Sequence, residues 1–494
     1  MKIVPSYIHK LDEILDGGFY KPSVVLVAGP AGSGKTTFAA QSLFNAAKSG
    51  ETCLFISTLS EPPAMINSYM SRFSFFDQSL YETNKMNIIS ISESLLKQGH
   101  DAVLEFINKK ISIIKPSRIV IDPLTVLGDI LKSFEEKPIS DDERRGFYFD
   151  LFTSIKSWNT LVIITGEFIL EDLRKSVVGY LVDGIIFLSE ETVGMRDERN
   201  IRILKMRGQK YISGKHSFDI RENGITVFPR LLPESMVERP ASTVKVSTGI
   251  PGLDNMLKGG ILDDDVLLIS GTTGTGKTTF GLHFISNGLK LGENALIISL
   301  EERPSKIIRN ARTFGIELEP FLNKKMLEVL YISPIAFHPD EDALTIKRII
   351  QEKKIKRILF DGIENLETSI PDYMERKNYV TVLLNLFSSL GVTTCITSEI
   401  SELFGTVKLT HEALSGAIDT IILLKHVEIE GKMHGVLSIL KSRGIEHDKE
   451  IREFEITQQG INVKTSMKGY ESVLSGTARK TPADVFKETF GERH

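Results

Sequence analysis

Two stretches of this 494-residue chain carry residues able to handle a polyphosphate, GPAGSGKTT at 29–37 and GTTGTGKTT at 271–279. Both fit G-x-x-x-x-G-K-T. Each follows an apolar run that reads as a strand and precedes a helical pattern, the context that separates a phosphate-binding P-loop from a chance match. In the first copy Gly29, Gly32, Ser33 and Gly34 let successive backbone amides turn inward around phosphate oxygens. Lys35 then reaches the β- and γ-phosphates, and the Thr36 hydroxyl, with Thr37 behind it, can ligate Mg²⁺. In the second copy Gly271, Thr272, Thr273, Gly274, Thr275 and Gly276 form the loop. Lys277 is its phosphate lysine, and Thr278, backed by Thr279, its magnesium hydroxyl. ATP and Mg²⁺ are the expected cofactors. No N-K-x-D guanine-reading motif occurs, so ATP is preferred over GTP.

Carboxylates stand where phosphoryl chemistry needs them. The runs IVID at 119–122 and ILFD at 358–361 end in Asp122 and Asp361, which can hold the metal through its water shell. A helix-capping aspartate would look the same in sequence. Further acids follow the strand after each P-loop helix. Residues 299–304 read SLEERP and offer Glu301 and Glu302; residues 58–63 read TLSEPP and offer Glu61 alone, preceded by Ser60. A carboxylate here can orient, or take a proton from, the group that attacks the γ-phosphate; serine cannot accept a proton at neutral pH as a carboxylate can. Glu301 is also a candidate metal ligand.

The elements that must position these groups occur twice. LDEILDGG at 11–18 returns as LDNMLKGG at 253–260, with the same offset of 242 residues as the P-loops. KMRG at 205–208 returns as KSRG at 441–444. A period this long means two tandem domains, not a solenoid. Apolar runs such as SVVLVAG and LVIITG lack polar alternation, as strands covered on both faces do. The expected class is α/β, two tandem P-loop NTPase domains with mainly parallel central sheets flanked by helices. The first domain is expected over 1–230, a linker over 231–246, the second domain over 247–466 and a C-terminal tail of partial order over 467–494.

Composition narrows the setting. With 41% hydrophobic and 25% charged residues the chain is of ordinary soluble character, and its net charge of −4 gives no general attraction to DNA or anionic membranes. Cys53 and Cys395, both in strand-like runs, read as buried thiols. A signal-like N-terminus and a bilayer-length apolar run are both lacking, so the expected location is cytoplasmic.

Taken together, the duplicated P-loops, the Glu-Glu pair and the two K-x-R-G motifs resemble the KaiC family, the RecA-like double-domain ATPases of the cyanobacterial clock. The likeness covers nearly the whole chain and is closest over DTIILLKHVEIEGKM (419–433) and RGIEHDKEIREFEIT (443–457), with SGTARKT (475–481) similar to the start of the family's C-terminal tail. The resemblance implies a two-tiered homo-hexamer with ATP between neighbouring subunits. Lys205 and Arg207 of the first ring, and Lys441 and Arg443 of the second, would reach the adjacent subunit's γ-phosphate. It makes the first glutamate of the pair, Glu301, the catalytic one, with Glu302 beside it. Ser60 departs from the pattern, so first-ring hydrolysis is expected to be weakened or to rely on Glu61. The resemblance also places Ser415 at an autophosphorylated serine and Gly416 at its threonine neighbour, which leaves one phosphosite. His447 matches a family position near nucleotide, where Tyr211 stands in the first half. A KaiB-like or other signalling protein is the implied partner.

Other readings stand beside this one. The ring could be an ATPase alone, or its first tier an ATP-held scaffold. A RecA- or RadA-type DNA-handling enzyme would want basic, aromatic loops, whereas the stretch at 128–145 has mixed charge.

Overall fold

The computed structural model describes residues 2–58, 63–124, 141–193, 196–232, 240, 242–400, 416–467, 470–471, 473 and 479–480. Ser60, Glu61, Ser415 and most of the tail lie outside these residues. The chain divides into two compact units, Met1–Arg230 and Leu231–His494.

The first unit is built on one nine-stranded sheet. In chain order its strands are β1 (Ser23–Gly29), β2 (Cys53–Ser57), β3 (Met86–Ser90), β4 (Arg118–Asp122), β5 (Leu161–Glu167), β6 (Gly184–Val193), β7 (Arg196–Met206), β8 (Lys215–Arg221) and β9 (Gly224–Phe228). Their spatial order is β9-β8-β7-β6-β1-β5-β4-β2-β3. The first six strands are parallel and β7 to β9 extend the sheet antiparallel. The P-loop helix α1 (Lys35–Lys48) follows β1, and the short α2 (Val177–Leu181) leads into β6.

Side-chain alternation explains why the strands read as continuous apolar runs. Along β1, Val25 and Val27 enter one core with Phe38, Leu43 and Phe44 of α1, while Val24, Leu26 and Ala28 enter another with Leu151 and Phe152. Both faces are dry, so neither parity can be polar.

The second unit repeats the plan. The strands of its nine-stranded sheet are β10 (Val266–Gly271), β11 (Asn294–Ser299), β12 (Leu327–Tyr331), β13 (Ile355–Asp361), β14 (Thr393–Glu399), β15 (Thr420–Ile429), β16 (Lys432–Ser442), β17 (Arg452–Thr457) and β18 (Gly460–Ser466). They are ordered β12-β11-β13-β14-β10-β15-β16-β17-β18. Its P-loop helix is α3 (Lys277–Lys290), and α4 (Pro304–Thr313) opens just after Glu302 with a proline in its first turn, where no amide partner is lost. Again two cores flank the sheet, Leu267 and Ile269 facing one and Val266 and Leu268 the other.

Each unit also carries a fully buried arginine that the sequence did not single out. Arg357 donates to the carbonyls of Ser247 and Phe284, pairs with Glu293 at 2.5 Å and stacks on the Phe284 ring at 4.8 Å. Arg118 does the equivalent with Pro5, Ser42, Glu51 and Tyr7. These guanidiniums tie the segment before each P-loop strand to the sheet, and their carbonyl and carboxylate partners offset the cost of burying a charge.

Candidate active sites in the two units

Both P-loops sit at the carboxyl ends of parallel strands, where such sheets bind ligands. In the second unit Gly271 ends β10 and Gly276, at φ +89°, starts α3. A Cβ on Gly276 would lie 2.2 Å from Ile456, so the turn has room for hydrogen only. Lys277 Nζ donates to the Thr272 carbonyl at 3.1 Å. In the first unit Lys35 Nζ donates to the Pro30 carbonyl at 2.6 Å, so each ammonium lies curled over its own loop.

The aspartates meet the P-loop hydroxyls in both units. Thr278 Oγ1 lies 3.0 Å from Asp361 Oδ1 and 3.2 Å from Oδ2; Thr36 Oγ1 lies 3.3 Å from Asp122 Oδ1. Each aspartate is held by a second threonine one strand over. Thr397 donates to Asp361 at 2.6 Å, and Thr165 donates to Asp122. Burial pushes the Asp361 carboxyl up to about 6, against the pull of the Thr397 and Thr278 bonds, with the charges of Glu301 and Glu302 adding to the rise. Burial also raises Asp122. A nearly buried carboxylate beside a hydroxyl offers two oxygens that could hold a hard cation. The pair that the sequence nominated in each half is therefore juxtaposed, and Thr165 and Thr397 are partners it missed. Their signal is the repeated T-G-E and T-S-E that end β5 and β14.

The two glutamates of the second unit part company. Both backbone amides are received by the Ser299 hydroxyl, at 3.3 Å from Glu301 and 3.0 Å from Glu302. Beyond that, Glu302 turns onto α4, where Asn310 Nδ2 and Lys306 Nζ hold its carboxylate at 2.9 and 3.7 Å. Glu301 instead lies against Gly362, whose added Cβ would meet its Cγ at 2.7 Å, and accepts from Asn365 Nδ2 at 3.4 Å. Its carboxylate converges with those of Glu364 and Glu399, one oxygen of each lying within 4.8 Å of the others. Burial raises the Glu364 carboxyl well above the usual range; Glu301 adds to this and Lys277 opposes it. Glu364 and Glu399 were not among the candidates.

Strand register refines the comparison of the two loops. Ser57 lies opposite Asp122 and Ser299 opposite Asp361, and the next amides, of Thr58 and Leu300, each donate to that aspartate's carbonyl at 3.1 Å. Counted from the strands, Glu301 matches Leu59. Counted back from the helices that begin at Pro63 and Pro304, it matches Ser60. The first loop is one residue longer, and the pairing of Ser60 with Glu301 is the one that holds from the helix side.

The K-x-R-G cations lie at the other end of the sheet. Lys205 is opposite Ile185, beside Gly184, which pairs with Val25; Gly29 is four residues further along β1. At about 3.3 Å per residue that is roughly 13 Å from the P-loop of the same unit. Lys205 Nζ donates to the carbonyls of Gly179, Tyr180 and Val182 at 3.0, 3.1 and 2.7 Å, capping α2, and Arg207 donates to Tyr180 O and pairs with Asp183. Lys441 and Arg443 repeat this with the carbonyls of Ile418 and Gly416 at 2.6 and 2.7 Å. Half-buried His447 is on the same end, next to Asp448, whose amide donates to Met256 O. None of these residues is placed to meet phosphate held by its own P-loop.

Two wound sheets, each with a P-loop backed by a paired aspartate, define a tandem RecA-like P-loop NTPase. The chain matches the family model described as "ATPase: KaiC" over residues 4–231 and again over 246–468, and it belongs to that family. It is 30% identical to the circadian clock oscillator protein KaiC of Thermostichus vulcanus over 496 residues, covering 98% of this chain and 93% of that protein. The KaiC of Parathermosynechococcus lividus is 31% identical, with 97% and 89% covered, and that of Synechococcus elongatus 30% identical, with 98% and 93% covered. Among the described residues no helix is long and apolar enough to cross a membrane.

Proposed function

We propose that this chain is an ATP-hydrolysing ring protein in which nucleotide lies between neighbouring copies of the same unit. The observation that carries this reading is the opposition of each P-loop to the K-x-R-G cations across the sheet. Lys441 and Arg443 cannot serve the P-loop of their own unit, but in a head-to-tail ring they face the next one. Cations supplied that way stabilise charge spreading over the transferred phosphoryl group and make turnover depend on assembly.

In each site the amides of the P-loop and Lys35 or Lys277 would hold the phosphates. Thr36 with Asp122, and Thr278 with Asp361, would hold Mg²⁺, which when bound neutralises β- and γ-phosphate charge. Glu301 is the general base of the second site. Its carboxylate converges with those of Glu364 and Glu399, and Glu364 feels the charge of Lys277, while Glu302 is committed to α4. Glu301 would take the proton of the attacking water, or of the Ser415 hydroxyl if the second ring phosphorylates itself, as ADP leaves. Gly416 provides no second acceptor, so such a kinase would be a one-site switch. In the first ring Glu61 is left to orient water, and slower hydrolysis is expected there. A cytoplasmic location, a hexameric assembly and a KaiB-like or other signalling partner complete the proposal.

Incubation with Mg-ATP tests it, with ADP release measured alongside intact mass and fragmentation. ADP production that falls when Lys277 or Glu301 is replaced, with one added phosphate on Ser415, is the full expectation. ADP production without added phosphate would remove the kinase and leave the ATPase. No ADP and no retained nucleotide would sink both.

A further inference from the structure

Two contacts reach the second P-loop from the neighbouring strands, and the first P-loop lacks the residue types to make either. Thr273, third residue of the loop, donates its hydroxyl to Glu399 Oε1 at 2.5 Å. Glu399 ends β14, in register with Gly271. On the other side of β10, His426 of β15 places Nε2 3.3 Å from the carbonyl of Gly274. A carbonyl only accepts, so this ring nitrogen carries the hydrogen. The other nitrogen, Nδ1, is buried and has no partner among the described residues, where the loop carbonyl is the ring's one hydrogen-bonding anchor.

Gly274 has φ +80°, a left-handed setting that keeps this peptide turned so that the loop amides can face inward. The bond to His426 fixes that turn from outside, and the bond to Glu399, charge-assisted and so stronger than a neutral one, fixes the residue before it.

In the first unit the same register positions read differently. Gly29 is in register with Glu167 as Gly271 is with Glu399, but the residue matching Thr273 is Ala31, which has no hydroxyl. Gly29 closes on the Leu188 carbonyl as Gly271 does on that of Leu424, so His426 is matched by Glu190. A carboxylate cannot donate to a carbonyl, and Glu190 pairs with Arg199 at 3.5 Å instead.

Building on the reading that both P-loops bind ATP, we propose that Glu399 and His426 form a two-point clamp on Thr273 and Gly274. The clamp holds the second P-loop in its phosphate-receiving shape and makes the second site the tighter ATP site. Glu399 and His426 are positioning residues; a loop already ordered loses less freedom on binding.

The test is a calorimetric titration of the full chain with Mg²⁺ and a non-hydrolysable ATP analogue. Wild type should show two classes of site. Thr273→Ala combined with His426→Glu installs the first loop's residue types in the second and should weaken the tighter class roughly tenfold while leaving the other in place. His426→Gln keeps a donor and should restore most of the affinity lost with His426→Ala, which a packing role of the ring would not. Ala31→Thr with Glu190→His should tighten the weaker class. Unchanged affinities in these variants, or equal weakening of both classes, would overturn the clamp. Failure of wild type to bind the analogue would instead overturn the ATP reading and the clamp with it.

Discussion

Asn310 donates its side-chain amide to both carboxylate oxygens of Glu302, at 2.9 and 3.3 Å, and so draws it onto α4, away from its neighbour Glu301, which faces Gly362. Glu301→Gln should therefore lower ATP turnover by about 10²–10³-fold, in the range a general base contributes, with nucleotide affinity largely kept. Glu302→Gln should cost less than about tenfold, because its carboxylate is occupied with Asn310 and Lys306. Steady-state ADP release by both variants, each carrying Lys35→Ala to silence the first ring, checks the assignment. Equal losses would mean that the pair acts as a unit.

Acid should weaken the second unit through His283. This ring lies on α3 against Gly460, where an added Cβ would sit 2.8 Å from its Cε1, and its buried Nε2 has no partner among the described residues. Burial holds its pKa below the ordinary value, with the charge of Lys290 adding to this. A depressed histidine is neutral when folded and takes up a proton when unfolded. Its share of stability is thus complete above about pH 6.5 and shrinks as pH falls toward the folded pKa. In the first unit the matching residue is Gln41, whose amide bonds Ile225 N and O at 2.6 and 3.1 Å. His283→Gln should install those bonds, raise stability by about 1 kcal/mol and flatten the loss between pH 7 and 5.5. Thermal melts across that range read both effects.

Arg357→Ala should be among the most damaging substitutions outside the P-loops. It strands the carbonyls of Ser247 and Phe284, opens a hole beside Phe284 and frees Glu293. A loss of about 3–5 kcal/mol is expected for breaking such a buried network. Arg357→Lys should recover little, since one ammonium cannot span the carboxylate and both carbonyls. Denaturant unfolding measures the difference.

Local order carried most of what the sequence made legible. P-loops, aspartate-ended strands and K-x-R-G motifs are short and repeated, and the apolar runs between them fix a sheet covered on both faces. Thr36 with Asp122, and Thr278 with Asp361, follow because the strand order brings β4 and β13 beside the P-loop strand's neighbour. What stayed hidden depends on pairings across the sheet. Glu399 and Thr273 are 126 positions apart, and His426 and Gly274 152, so no window of sequence joins them. Arg118 and Arg357 gave no signal in the sequence, because the carbonyls of Pro5 and Ser247 that they bond belong to segments over a hundred residues away. The match of Ser60 to Glu301 is the instructive middle case. It holds from the helix side and slips by one from the strand side, a difference that only the register of Ser57 and Ser299 exposes.

Subunit mixing decides whether the cations act across an interface. A chain with Lys277→Ala lacks the second-site phosphate lysine but keeps Lys441 and Arg443. A chain with Lys441→Ala and Arg443→Ala keeps the lysine and lacks the cations. Each alone should form second-ring sites that turn over slowly. If the cations served their own unit, mixing would average two defective proteins and gain nothing. The sheet argues otherwise: Lys441 is opposite Ile421, at the end of β15 away from Gly271. In a head-to-tail ring a cation-less chain whose P-loop faces a lysine-less neighbour makes a complete site. Random assembly at equal amounts should create such a site at roughly a quarter of the interfaces. Second-ring turnover should then rise above both parents toward a quarter of wild type, with the Lys35→Ala change carried in all chains to silence the first ring. A mixture no faster than its better parent would show that the K-x-R-G cations do not reach the neighbour's nucleotide.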